Sequence, residues 1–167
     1  MEYEIRPIEE KDIEGLWHVL DCVAREQEYL AFDRGPSIDK MREFVLHNIQ
    51  NNHPQFVCVL NETVIGWCDV IPSDRPTQAH TGSMGLGLLP EHRGKGLGTL
   101  MIMKALDTAK TKGLKRIKLT THETNQRAIE LYKKIGFQVE GVLVKESFLK
   151  GRYLDVLMMG MWVGPDN

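Results

Sequence analysis

The chain has 167 residues, 42% of them hydrophobic and 26% charged, with a formal net charge of −2 at pH 7. That size and balance describe one folded domain, residues 1–167, with a substantial core, and the near-neutral charge gives no global case for binding nucleic acid or an anionic membrane. No apolar run approaches the ~20 residues of a membrane span, the first residues lack the apolar stretch of a signal peptide, and Cys22, Cys58 and Cys68 are too widely spaced for a disulfide framework, so a cytoplasmic protein is expected.

Residues 2–7 alternate and end on a proline, which predicts a short first strand. Asp12 is placed to cap a helix whose apolar stripe is Ile13, Leu16, Trp17, Leu20 and Val23. Residues 24–36 are polar and aromatic and break at Arg34-Gly35-Pro36. Ser37 then caps a second helix, with Ile38, Met41, Val45 and Ile49 facing inward. Residues 55–60 and 63–71 flank Asn61-Glu62 as a hairpin, 72–79 are a loop, and 80–89 form a strand. The next helix, 97–112, buries Leu97, Met101, Ile102, Ala105, Leu106 and Ala109, and Gly113 closes it. A strand at 116–121 leads to a helix at 125–135 with the stripe Ala128, Leu131, Tyr132 and Ile135. Two long strands, 137–148 and 152–163, surround Lys150-Gly151. The basic stretch 110–118 reads as a solvated helix end and strand edge. The order β-α-α-β-β-β-α-β-α-β-β specifies an α/β fold with a mixed sheet.

The segment 88–99, Leu-Leu-Pro-Glu-His-Arg-Gly-Lys-Gly-Leu-Gly-Thr, is the most informative. An apolar strand stops at a proline, a glycine-rich basic turn follows, and a helix begins. Such a junction gathers free backbone N–H groups at the positive end of a helix dipole and suits a phosphate. The pattern is neither a P-loop nor a complete dinucleotide fingerprint, because the third glycine of the latter is replaced by Thr99. Gly85 and Gly87 in the preceding strand point to a bulge or a close backbone approach.

The R-x-x-G-x-G of Arg93, Gly96 and Gly98 resembles the acyl-CoA pyrophosphate loop of the GNAT superfamily of N-acetyltransferases. The downstream Asn125-x-x-Ala128-x-x-Leu131-Tyr132-x-x-x-Gly136-Phe137 resembles that family's second signature, at the separation that leaves room for one helix and one strand. The element order fits the family over most of the chain, with a mixed sheet carrying helices on both faces.

The resemblance implies acetyl-CoA as co-substrate and direct attack by an amine in a ternary complex. It places the pyrophosphate on the backbone of Gly94, Lys95, Gly96, Leu97, Gly98 and Thr99, with Arg93 and Lys95 adding charge. The pantetheine then lies along the splayed strand at Gly87, Leu88 and Leu89 and meets Asn125, which is also a natural helix cap. A main-chain N–H at Leu88 or Leu89 is expected to polarise the thioester carbonyl, and Tyr132 to protonate the leaving thiolate.

The strand before the loop offers no Asp or Glu as general base. Glu26, Glu28, Asp69 and Glu123 remain as candidates, as does a water chain ending at several of them. No histidine or cysteine spacing implies a metal. The acceptor is expected opposite the CoA, among residues 26–36, with Tyr29, Phe32, Asp33 and Arg34, the hairpin tip and the last two strands. There Gly151-x-Tyr153-x-Asp155 resembles a stretch in branches acting on amino acids, related antibiotics or ribosomal-protein N-termini. The expected acceptor is a small or amino-acid-like primary amine. A protein N-terminus or lysine is the alternative, as is a non-catalytic acyl-CoA sensor. The apolar last strand, Val156 to Trp162, is a candidate edge for a homodimer or, equally, a strand buried within one chain.

Overall fold

The computed structural model describes residues 2–166. In chain order the elements are β1 Tyr3–Pro7, α1 Ile13–Arg25, α2 Ile38–Gln50, β2 Gln55–Leu60, β3 Thr63–Pro72, β4 Thr81–Leu88, α3 Leu97–Thr111, β5 Arg116–His122, α4 Gln126–Ile135, β6 Gln138–Leu149 and β7 Arg152–Trp162. The order is the one expected, with boundaries moved by a residue or two. Short 3-10 turns precede α1 and follow β4. Among the described residues no helix is long and apolar enough to cross a membrane.

The seven strands form one sheet in the order β1-β2-β3-β4-β5-β7-β6. All neighbours are antiparallel except β4 and β5, which are parallel. Two cores flank the sheet. One packs α3 and α4 through Met101, Ile102, Leu106, Ile129 and Tyr132 against Cys68, Val70 and Ile117. The other packs α1 and α2 through Ile13, Leu16, Val19, Met41 and Val45 against Val57, Val64 and Trp67. The alternation along β3 thus divides its side chains between the two helical layers.

Local chemistry explains where the expectations shift. Ser37 caps α2 as anticipated, its Oγ accepting the Lys40 N–H at 3.3 Å. Asp12 does not cap α1, because its carboxylate accepts two Arg6 N–H groups, at 2.6 and 2.9 Å, and the Glu9 N–H at 2.9 Å. On α2, Met41 and Val45 are buried but Ile38 and Ile49 are exposed. The last inward position is taken by Asn48, which is buried, donates to Gln55 Oε1 at 3.1 Å and meets His53 Nδ1 at 3.0 Å. On α4, Ile129 is buried with Tyr132, while Ala128, Leu131 and Ile135 are partly covered.

The last strand is not an edge. β7 lies between β5 and β6, pairing with both, because the β6–β7 hairpin folds back over β5. The edge at that end of the sheet is β6, which departs from regular pairing between Leu143 and Ser147. There Asp155 Oδ1 accepts the Lys145 N–H at 2.8 Å, with Lys145 at φ 53°.

The feature that creates a site is the short contact between β4 and β5. Their ladder runs only from Thr81–Arg116 to Ser83–Lys118. Beyond it the strands diverge, leaving one side of β4 from Met84 onward unpaired within the sheet.

Candidate functional site

Strand parity decides what β4 offers to the opening. The Leu89 N–H donates to the Ile65 carbonyl at 2.9 Å. In an antiparallel ladder hydrogen-bonded and non-bonded pairs alternate, so Gly87–Trp67 and Gly85–Asp69 are bonded pairs and Leu88–Gly66 and Leu86–Cys68 are not. The main-chain groups of Leu86 and Leu88 therefore point away from β3, into the split. The Leu88 carbonyl is taken by the Arg93 Nε–H at 2.9 Å, which leaves the Leu88 N–H as a donor facing the cleft. Leu89 offers no such donor, since its N–H is spent on Ile65.

At the end of β4 the chain passes through a 3-10 turn into the loop ahead of α3. Gly94 and Gly96 adopt φ 77° and 78°, a left-handed conformation that glycine takes at little cost. Gly96 is the N-cap of α3, and Leu97 enters the core. Among the described residues the backbone N–H groups from Gly94 to Thr99 meet no acceptor. They converge at the positive end of a 15-residue helix, the arrangement that favours an anion.

A cavity of about 380 Å³ joins this loop to the split. It is lined by Leu86, Gly87 and Leu88 of β4, by Gly94, Gly96, Gly98 and Thr99, and by Asn125, Ala128, Leu131 and Tyr132 from α4. Asn125 is the N-cap of α4, its Oδ1 accepting the Ala128 N–H at 3.4 Å. Tyr132 is buried, and its ring packs edge-on against Phe137 with centroids 5.9 Å apart. Burial raises the Tyr132 pKa above its ordinary value, so the hydroxyl keeps its proton.

Of the two basic residues expected at the phosphate, Arg93 lines the cavity but is engaged by a carboxylate, and Lys95 lies outside the lining. Arg93 forms a bidentate pair with Glu26, at 2.9 and 2.6 Å, and lies 4.8 Å from the Tyr29 ring centroid. It anchors the loop to the end of α1, where two carboxylate oxygens and a carbonyl satisfy its planar fork. Lys95 is exposed and points to β1, 3.1 Å from the Tyr3 hydroxyl. The cation over the loop is Arg127, near enough that a Cβ on Gly94 would come within 2.9 Å of its guanidinium. Its position inside the second signature was visible, but only the crossing of α4 over the loop brings it there.

The four candidate carboxylates differ in their partners. Glu26 is paired with Arg93, Glu28 Oε1 accepts from the Lys150 ammonium at 3.0 Å, and Glu123 Oε1 accepts the Asp155 N–H at 3.1 Å. Asp69 is different: it is buried, has no cationic partner among the described residues, and is pushed up to about 7 by burial, against a hydrogen bond from the Gly85 N–H. Alternation puts Asp69 beside Trp67 on the α1–α2 side. Gly87 is what admits the Trp67 ring, because any Cβ there would overlap it. Of the expected acceptor residues, Tyr29 borders the cavity; Phe32, Asp33 and Arg34 are exposed and do not. Asp155 is held by the Lys145 N–H, and the Tyr153 ring packs against Phe148 with centroids 4.9 Å apart and planes tilted by 50°. Among the described residues no group of three or more His, Cys, Asp or Glu side chains is placed to hold a metal.

The model of the Acetyltransferase (GNAT) family matches residues 17–137. The chain is 29% identical over 161 residues to an uncharacterized N-acetyltransferase, YokL, of an SPβ prophage in Bacillus subtilis, covering 94% of this chain and 88% of that one. It is 30% identical over 158 residues to the spermidine N(1)-acetyltransferase of Vibrio cholerae, covering 93% and 90%. With the L-amino acid N-acetyltransferase AaaT of Escherichia coli it shares 26% over 106 residues, 63% of this chain and 65% of that one. The fold superposes on yncA of Salmonella typhimurium, an acetyltransferase solved with acetyl-CoA, with a TM-score of 0.93 at 20% identity, over 100% of this chain and 97% of that one.

Proposed function

The chain belongs to the acetyltransferase (GNAT) family, and from that premise we propose that it transfers the acetyl group of acetyl-CoA to a primary amine of a small acceptor. The observation that carries the reading is the continuous path from the free N–H groups at residues 94–99, past the unpaired Leu88 N–H, to the Tyr132 hydroxyl. Acetyl-CoA supplies an activated acyl group as a thioester. The N–H groups of 94–99 and Arg127 hold its pyrophosphate, and Leu86, Leu88 and Asn125 flank the pantetheine.

The roles follow from the proton accounting. Asp69, buried on the α1–α2 side and lining neither cavity, takes a proton from the acceptor ammonium through intervening water and frees the nitrogen lone pair. Its pKa of about 7 makes it a competent base near neutrality, and the other three carboxylates are already committed. As the N–C bond forms, the Leu88 N–H stabilises the charge growing on the carbonyl oxygen. As the C–S bond breaks, Tyr132 gives its proton to the sulfur; the acylated nitrogen sheds its second proton, which returns through water to the Tyr132 oxygen, and the proton held by Asp69 passes to solvent. The products are an amide and free CoA, with no acyl-enzyme.

A small acceptor is favoured over a polypeptide by the Glu28–Lys150 pair. It bridges the segment after α1 to the β6–β7 turn. His122 reinforces the bridge, with Nδ1 2.7 Å from the Glu28 carbonyl and Nε2 3.1 Å from Ser147 Oγ. A peptide groove between those segments would have to part both.

The test is thiol release from acetyl-CoA across amino acids, polyamines, aminoglycosides and short peptides, with acetyl-CoA binding followed by thermal shift on the same sample. Release with one class of small amine is expected. Binding without release from any amine points to a non-catalytic sensor, and absence of binding overturns the co-substrate assignment.

A further inference from the structure

A second cavity, of about 410 Å³, adjoins the first and shares Tyr29, Asn125 and Arg127 with it. Its walls are Gln27 and Glu28 after α1, the start of α4, and Leu149, Lys150, Arg152 and Leu154 at the β6–β7 turn. The fold fixes this enclosure from several directions. Gln27 stands at φ 53° just beyond α1, and Lys150 and Gly151 at φ 50° and 77° form the tight turn between Leu149 and Arg152.

The charges on these walls are unequal. Glu28 is the only acidic lining residue and is neutralised by Lys150. Arg127 and Arg152 have no acidic partner among the described residues. Their guanidiniums are planar forks suited to a carboxylate. An acceptor bearing several ammonium groups would meet these cations with no anion to offset them. Discrimination by an unfavourable contact is as effective as discrimination by a favourable one.

We infer that this cavity receives the carboxylate of an amino-acid acceptor, with Arg152 as its partner, so that the enzyme selects amino acids and rejects polyamines. The inference rests on the N-acetyltransferase reading above. Arg152 borders only this cavity, whereas Arg127 also reaches the phosphate loop. Arg152 is therefore the residue whose removal reports on the acceptor.

The experiment compares kcat/KM for α- and ω-amino acids with their carboxamides and with spermidine, in the wild type and in Arg152→Gln. Arg152 is an exposed side chain at the start of β7, so the variant should fold. Loss of the carboxylate is expected to lower kcat/KM at least tenfold in the wild type. Arg152→Gln should reduce that preference to within about twofold while retaining turnover of the carboxamide. Preference for spermidine, or for the carboxamide, overturns the inference and leaves the N-acetyltransferase reading standing.

The same cations also suit a phosphate of the co-substrate, and 3′-dephospho-acetyl-CoA separates the two sources. A KM for acetyl-CoA that rises in Arg152→Gln, but not for the dephosphorylated form, assigns the cavity to the co-substrate and overturns the inference. Calorimetric titration with N-acetyl amino acids and their amides tests the cavity independently of turnover. Binding that needs the carboxylate and weakens in Arg152→Gln is expected, and binding of neither form overturns the assignment.

Discussion

Asp69→Asn changes one atom and separates the cost of burying a carboxylate from its use. The Asp69 pKa of about 7 lies about three units above its ordinary 3.8 because burial disfavours the charged form. At about 1.4 kcal/mol per unit, ionising it in the fold costs up to about 4 kcal/mol. The folded chain holds the proton to higher pH than the unfolded chain, so between roughly pH 4 and 7 it binds more protons. Stability from this group therefore falls as pH rises through that window, and the full cost is present above pH 7. Asparagine keeps an oxygen for the Gly85 N–H and never ionises. Asp69→Asn should be indistinguishable from wild type near pH 4 and more stable by about 2–4 kcal/mol at pH 8, or about 10 °C in Tm for a chain this size. Urea and thermal melts from pH 4 to 8.5 measure the difference. A variant no more stable than wild type at pH 8 would refute the burial argument. Activity tests the catalytic half separately. Wild-type kcat should rise with an apparent pKa near 7, and the variant should lose that limb and about 100-fold in kcat. An unchanged pH profile would remove Asp69 from the reaction whatever the melts show.

Tyr132→Phe deletes a buried hydroxyl without changing the packing against Phe137. It should lower kcat roughly tenfold or more and leave acetyl-CoA binding intact, as read by stopped assays and thermal shift; full turnover with a good acceptor would exclude the general-acid role. Glu26→Gln breaks the bidentate pair that ties the loop ahead of α3 to α1. It should cost about 1–2 kcal/mol in urea unfolding and raise the KM for acetyl-CoA, whereas an unchanged KM would show that the loop holds its shape without the anchor. Glu62 occupies the second left-handed position of the β2–β3 turn, at φ 65°, where such hairpins prefer glycine. Glu62→Gly should raise stability by about 1 kcal/mol with kcat/KM unchanged, and a lower Tm would contradict the strain assigned to that turn.

The sequence by itself determined the elements and the glycine-rich loop ahead of α3. Both depend on local rules: the 3.6-residue stripe of α3, the Asn61-Glu62 and Lys150-Gly151 turns, and the glycines that free the N–H groups ahead of Leu97 are written in adjacent residues. The second signature likewise placed Asn125 and Tyr132 on one helix. What only the tertiary structure decided are relations between segments distant in the chain. Arg93 is bound by Glu26, 67 positions away, and Arg127 crosses from α4 to Gly94; a sequence shows each charge but not which countercharge reaches it first. The choice of Leu88 over Leu89 as a free donor follows from the phase of the β3–β4 ladder, a shift of one residue that reverses which side a group faces. Asp69 reads as one carboxylate among four until burial and pairing separate it from Glu26, Glu28 and Glu123. The basic cavity, likewise, exists only because the β6–β7 turn folds back beside α4 and the end of α1.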